Sequence, residues 1–384
     1  MTDILFTGVN DWRSITQRPQ HLARGLARRH RVLYVNPIGY SWLTHGLRRL
    51  RGATHRGWRP RLEAVGPGLW AFTPSPALPF SRRVRAANRV NHALLAAQLR
   101  PVLAALGFDR PALWAAFPTA VDLVGRLETS AVVFDRLDDY PGFFAGRERA
   151  TIAEMERELL AVADLVLATS APLAASSRAA REHVALVPNG VDALHFAAAR
   201  LGRVPVAEDV VGLPGPRFGY VGTIARWTDV DALVALARAV PAGSVVVVGP
   251  WEVPVPAGAP ANLHVFGPRA YEALPGYLAG FDVALIPFRP GPLTEAVNPV
   301  KLFEYAAAGV PIVATRTREL ARYVSWCELA DTPDDLVRLS LAAAERHRLG
   351  LDAERLDRAA QEAAANSWSA RVEEIERLLE AVLE

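Results

Sequence analysis

The tract EAVNPVKLFEYAAAGVPIVAT, residues 295–315, contains Lys301, the single lysine of a chain that carries 42 arginines. An ammonium is a compact, strongly hydrated point charge, whereas a guanidinium is a planar fork, so the two do different work. Residues 299–309 have the pattern of a helix, with Pro299 in the first turn, Gly309 closing it and Pro311 beyond. A helix N-terminus presents free backbone N–H groups and a positive partial charge, which suits a phosphate. Lys301 lies in that first turn, where a cation opposes the helix dipole and where an anionic ligand would remove the conflict. Glu304 follows three residues later on the same face. It is either an i,i+3 ion pair with Lys301 or a carboxylate that accepts hydrogen bonds from the sugar hydroxyls of a phosphorylated ligand.

These residues must be held by a sheet. DVALIPF (282–288) has the composition of a buried strand, and the loop RPGPLTEAVN then delivers its atoms at that strand's carboxyl end, where open α/β sheets bind ligands. Further strands are expected at 4–9, 31–37, 112–117, 131–137, 165–170 and 184–190, and again at 217–224, 244–250, 263–267 and 310–315, with helical stretches between them. Residues 18–29 and 149–163 have helical apolar spacing. The expected fold class is α/β, with two doubly wound Rossmann-like domains and a helical C-terminal tail. The domain expectation is 1–192, a Pro-, Gly- and Ala-rich linker at 193–216, a second domain at 217–366, and a last helix at 367–384 placed to pack back on the first domain.

At 384 residues the chain is too long for one hydrophobic core. With 51% hydrophobic and 22% charged residues it has an ordinary globular composition. No apolar run reaches membrane-span length, the N-terminal residues lack a signal-peptide pattern, and one cysteine, Cys327, allows no internal disulfide, so a cytoplasmic protein is expected. The net charge of +3 conceals an asymmetry: residues 1–130 hold 19 Arg and six acids, giving +13, and the remainder gives −10. The stretch 39–62 interleaves Trp42, Leu43, Leu47, Leu50 and Trp58 with Arg48, Arg49, Arg51, Arg56, Arg59 and Arg61. That chemistry fits peripheral contact with the anionic inner face of a cell membrane, or else a solvated loop. No nucleic-acid-binding motif accompanies it.

The tracts RFGYVGTIARWTDVDALVAL, VVVVGP, NLHVFGPRAYEALPGYLAGFDVALIPF and NPVKLFEYAAAGVPIVAT, preceded by VPNGVD, resemble in order and separation the retaining GT-B glycosyltransferases that use nucleotide-diphosphate sugars. The resemblance covers the second domain continuously and the first more loosely. It implies two domains facing a cleft, a nucleotide sugar as donor, a glycan or lipid-linked acceptor, and no cofactor. It places the donor's diphosphate at Lys301 and its ribose at Glu304. Gly222 and Thr223 would form the tight turn that a phosphate or sugar approaches, Arg226 would be the basic residue after that turn, and Arg269 and Tyr271 would lie near the base. The family motif has two glutamates separated by seven residues; here Ala296 stands eight positions before Glu304, and the nearest acid is Glu295, the candidate for contacting the transferred sugar. Asn298 and Pro299 replace the family's small loop residues, and Pro299 has no N–H to offer. No Asp-x-Asp motif stands out, so metal-independent chemistry is expected. A nucleotide-sugar epimerase without hydrolysis, or a non-catalytic nucleotide-sugar-binding scaffold, would use the same site.

For the acceptor side, Gly8 permits close approach at the end of the first strand. Arg18 and His21 face the cleft if their helix starts near Pro19, with a structural role as the other reading of His21. Asp135, Asp138 and Asp139 gather at a strand's carboxyl end, and Asp138 either contacts sugar or acceptor or caps a helix or pairs with arginine.

Overall fold

The structure, a computed structural model, describes residues 1–39, 59–75 and 77–383, and these form two units: Met1–Val187 with Arg371–Glu384, and Pro188–Ala370. Most of the basic-aromatic stretch 39–62 therefore lies outside the described residues.

The first unit is built on an eight-stranded sheet. Its strands are β1 (Asp3–Thr7), β2 (Arg31–Val35), β3 (Arg61–Gly66), β4 (Leu69–Thr73), β5 (Ala112–Ala115), β6 (Val132–Arg136), β7 (Leu165–Ala168) and β8 (Val184–Leu186), in the order β3-β4-β2-β1-β5-β6-β7-β8. All neighbours are parallel except β3, which pairs antiparallel with β4. Strands buried on both faces are apolar throughout, as β5 and β7 are, because helices cover both sides of a parallel sheet. Phe6 of β1 stacks between Tyr34 of β2 and Trp114 of β5, with ring centroids 5.4 and 5.1 Å away. The β3–β4 hairpin is an element that the sequence reading did not single out.

In the second unit, β9 (Arg217–Val221), β10 (Ser244–Val248), β11 (Leu263–Val265), β12 (Val283–Ile286), β13 (Ile312–Thr315) and β14 (Glu328–Ala330) form a parallel sheet in the order β11-β10-β9-β12-β13-β14. From β9 the chain winds outward to β10 and β11, then returns to β12 on the other side. The order therefore reverses between β9 and β12, and the carboxyl ends of those two strands border the crevice where such sheets take ligands. The helix Val300–Ala308 starts at this edge, with Pro299 as its N-cap and Gly309 as its left-handed C-cap at φ 71°.

Residues 193–216 are not a free linker. Ala193–Arg200 and Glu208–Val211 are helices, the first capped by the Asp192 side chain, and Phe196 and Val210 are fully buried in the second unit's core. The alanine-rich text that reads as loose is a helix packed by its few large residues. The last helix, Trp368–Leu383, follows the helices Pro333–Arg348 and Ala353–Ala365. From Arg371 on it belongs to the first unit, where Val372 lies against Gly25 and Glu376 accepts from Arg29 at 2.9 Å.

Candidate functional site

At the end of β9 the backbone turns at Gly222, whose φ of +142° is strained for any residue with a Cβ. Gly249, at the end of β10, has φ +143°, and a Cβ there would come within 2.2 Å of the Gly222 carbonyl oxygen. Two glycines are thus needed for the two strand ends to pass this closely. The Tyr305 hydroxyl holds the turn from below, accepting from the Val221 N–H at 2.8 Å and donating to the Val221 carbonyl at 3.3 Å.

The Lys301 ammonium lies over this turn. A Cβ on Gly222 would stand 3.1 Å from Nζ. Nζ is 5.1 Å from the Tyr220 ring centroid and 5.9 Å from that of Phe288, so two aromatic faces support the charge. Among the described residues no carboxylate is within 4.0 Å of it. The first N–H groups of the helix Val300–Ala308 have no intrahelical acceptor and share this edge.

Glu304 lies one turn further along the helix. Its carboxylate has no hydrogen-bond or ion-pair partner among the described residues, so the i,i+3 ion pair with Lys301 is not formed. Burial raises its pKa to about 7, and Lys301 offsets this only in part. Beside it stands Tyr271, whose phenol is held above its ordinary range by burial and then by the Glu304 charge. Tyr271 stacks on His195 at 4.9 Å and meets Phe196 edge-on at 5.5 Å. A half-buried carboxylate without donors among the described residues, one helical turn from an ammonium without a carboxylate there, is suited to a ligand that brings hydroxyl donors to one and phosphate to the other.

Several expected site residues are placed otherwise. Glu295 accepts from the Arg318 backbone N–H at 2.8 Å with the Arg318 guanidinium 3.9 Å away, so its carboxylate secures a loop. Asn298 is 3% exposed: its Nδ2 donates to Glu319 and to the Tyr323 hydroxyl at 2.9 and 3.0 Å, and its Oδ1 accepts from the Asn189 N–H at 3.0 Å. It ties the PNG turn to the helix and has no side-chain atom left for a donor. Arg269 donates to Asp209 at 2.8 Å and to the Tyr277 hydroxyl at 2.6 Å on the surface. Arg226 is exposed just after the turn, and Thr223 uses its carbonyl to accept from the Tyr220 hydroxyl at 2.9 Å.

In the first unit, a Cβ on Gly8 would strike the Tyr34 ring, with the hydroxyl oxygen only 2.1 Å away, so the absence of a side chain here makes room for Tyr34. Arg18 is 3% exposed and does not face solvent. It pairs with the fully buried Asp135 at 2.9 Å and donates to the Val187 carbonyl at 3.0 Å, a junction of β6, β8 and the helix Arg18–Leu26. His21 is half-buried in the first turn of that helix. Asp138, just beyond β6, has no side-chain partner among the described residues; burial and then the neighbouring Asp139 raise its pKa to about 7. Asp138 is thus the first unit's counterpart to Glu304.

Gly249, Tyr220, Phe288 and Tyr305 were not singled out in the sequence. Tyr305 had a signal, since it stands four residues after Lys301 on the same helical face. Gly249 had another, as the glycine directly after the valine strand.

Residues 215–338 match the family described as Glycosyl transferases group 1. The chain is similar to the putative teichuronic acid biosynthesis glycosyltransferase TuaH of Bacillus subtilis (strain 168), with 27% identity over 250 residues, which are 60% of this chain and 62% of that protein. The match thus spans less than two thirds of that relative's length. Among solved structures, sucrose-phosphate synthase (tll1590) from Thermosynechococcus elongatus superposes with a TM-score of 0.74 at 16% identity, covering 100% of this chain and 99% of that one. Anabaena Alr3699/HepE, solved in complex with UDP and glucose, gives a TM-score of 0.68 at 15% identity over 99% of this chain and 100% of that one. The chain has the GT-B fold of these solved structures. Its second unit carries the group 1 domain, and the Lys301–Glu304 helix lies within it.

Proposed function

We propose that the protein transfers a sugar from a nucleotide-diphosphate donor to an acceptor hydroxyl in the synthesis of a cell-surface polysaccharide or glycolipid. The observation that carries this reading is the Lys301 ammonium, unpaired with any carboxylate among the described residues, above the glycine turn at the β9–β12 switch point, with Glu304 one helical turn away and likewise without a partner among the described residues. Breaking the anomeric C–O bond leaves positive charge on the sugar and adds negative charge to the departing diphosphate. Lys301, the N–H groups of the helix Val300–Ala308 and the exposed Arg226 supply positive charge on that side before the reaction begins, which is electrostatic preorganisation. Glu304 accepts from the ribose hydroxyls, and the Tyr271 ring lies beside the base. On the acceptor side, Asp138 and His21 take the hydroxyl. Transfer is metal-independent, because these groups already neutralise the leaving phosphate, and it retains the anomeric configuration, as in the family that the motifs resemble. UDP is the first nucleotide to test, since it is the one in the HepE complex. The acceptor is a glycan or a lipid-linked sugar met at the inner face of the cell membrane, to which the basic-aromatic stretch 39–62 brings the first unit.

The test is calorimetric titration with UDP and with GDP in EDTA, followed by product analysis with the corresponding sugars. Tight binding of one nucleotide, with turnover that requires an acceptor, is the expected result. Sugar conversion without acceptor would make the protein an epimerase, and binding without turnover would make it a scaffold. Binding of neither nucleotide would remove Lys301 and Glu304 from their roles.

A further inference from the structure

The helix Arg85–Leu106 is apolar on its outward side as well as its inward side. Leu95, Leu99 and Leu103 are buried in the first unit's core. On the opposite face Val90 and Leu94 are 45% and 49% exposed, and the exposed Ala86, Ala97 and Pro101 extend the stripe at helical spacing. Just before the helix, Leu78 and Phe80 are also exposed, Phe80 at 61%. Asn91 fixes Leu78 beside the helix by bonding both its N–H and its carbonyl at 2.9 Å. Phe80 has φ +66°, a costly conformation for a bulky residue, and its carbonyl is clamped by the N–H groups of Arg83 and Val84, each at 2.8 Å. The loop is held so that it displays a phenyl ring to solvent. An exposed apolar stripe that continues onto an exposed aromatic ring marks an interaction surface.

The charge around the stripe identifies that partner. The helix contains Arg85, Arg89 and Arg100 and no acid. Arg83 and Arg89 have side chains 61% and 60% exposed, whereas the acids nearest them, Glu148 and Asp122, are 16% and 8% exposed. At these two pairs the guanidiniums are outermost and the carboxylates lie beneath, whereas at Arg85 the order is reversed, with the Glu158 side chain 40% exposed over a guanidinium that is 14% exposed. A second copy of this face would bring arginine against arginine, while a sheet of lipid phosphates would meet them favourably. We propose that the outward face of the helix Arg85–Leu106, together with Leu78 and Phe80, docks on the surface of an anionic lipid bilayer, with the apolar stripe entering the headgroup boundary and the arginines on phosphate. This surface is separate from the stretch 39–62 and does not rest on the transferase reading.

Co-sedimentation of the full chain with phosphatidylcholine vesicles, with and without phosphatidylglycerol, tests it. Wild type is expected to bind the anionic vesicles and to lose binding as salt rises. Val90→Glu with Leu94→Glu should weaken binding about tenfold or more, since two half-exposed aliphatic side chains no longer enter the interface. Neutralising Arg83, Arg89 and Arg100 to Gln should cost about fivefold for each. UDP titration and the melting temperature of each variant should match wild type, which separates lost docking from lost folding. Equal vesicle binding by wild type and the Val90/Leu94 variant would overturn the proposal. So would wild type that ignores anionic vesicles, or a dimer in sedimentation equilibrium that the same variant breaks while vesicle binding is absent.

Discussion

Lys301→Ala takes away the ammonium that lies over the Gly222 turn. Removing a single preorganised donor from a developing oxyanion costs about 2.7–4 kcal/mol of barrier, so turnover should fall roughly a hundredfold or more. Single-turnover kinetics check this, and a rate near wild type would refute the assignment. Lys301→Arg should not restore the rate, because a planar fork spreads its charge over three nitrogens and does not reproduce a compact ammonium placed over the Gly222 turn. Glu304 gives a pH signature. Its pKa is about 4.5 in the unfolded chain and about 7 in the folded one. Below pH 4.5 it is neutral in both states. Between 4.5 and 7 the folded chain keeps a proton that the unfolded chain has released, so this group's contribution to stability falls as pH rises. Glu304→Gln should remove that slope, seen as a difference between the two melting-temperature profiles. Hydrogen bonds from ribose hydroxyls favour the carboxylate, so nucleotide affinity should rise with pH through about 7 in wild type and stay flat in the variant. Both residues could be read in the sequence because their relationship is local, one helical turn. Glu295 and Arg269 could not, because their partners Arg318 and Asp209 are 23 and 60 residues away and only the tertiary fold brings them together.

At the scale of elements, the parallel strands were legible because strands covered on both faces are continuous apolar runs, and the helix Val300–Ala308 because proline and glycine mark its ends. The β3–β4 hairpin escaped because it adjoins the arginine-rich stretch and its first strand, RLEAVG, buries no residue and so lacks a core-facing apolar pattern. The helices at Ala193–Arg200 and Glu208–Val211 escaped because alanine, glycine and proline there resemble linker composition, while what holds them is tertiary burial. Phe196 is the anchor of the first: fully buried, capped by Asp192 upstream and edge-on to Tyr271. Phe196→Ala should lower unfolding free energy by about 3–5 kcal/mol in urea titration. Because Tyr271 rests on Phe196 beside Glu304, nucleotide affinity should fall with it, and it should not in a buried-phenylalanine control such as Phe72→Ala in the first unit. A stability loss below 1 kcal/mol would mean that the segment is the linker its composition suggests.

At the scale of the molecule, the chain places its last helix in the unit it started with. Val372, Ile375 and Leu379 are 6%, 0% and 2% exposed within the first unit, and Gly25 is bare because Val372 Cγ2 takes the place of a Cβ, 2.4 Å from where it would stand. A helix that contributes three core side chains after nearly two hundred intervening residues closes a long loop, and loop closure costs little more for a long chain than for a short one. Truncation at Ala370 should therefore act on the first unit and spare the second. Calorimetry should show the two units separating into distinct transitions, the earlier one shifted down by several degrees and the later one unchanged. Saturating nucleotide should then raise only the later transition, since a ligand stabilises the unit that binds it. A truncated chain that melts as wild type would show that the final helix contributes nothing to the first unit. If the nucleotide moved only the earlier transition, the donor site would belong to the first unit, and the Lys301 helix would have to give up the phosphate.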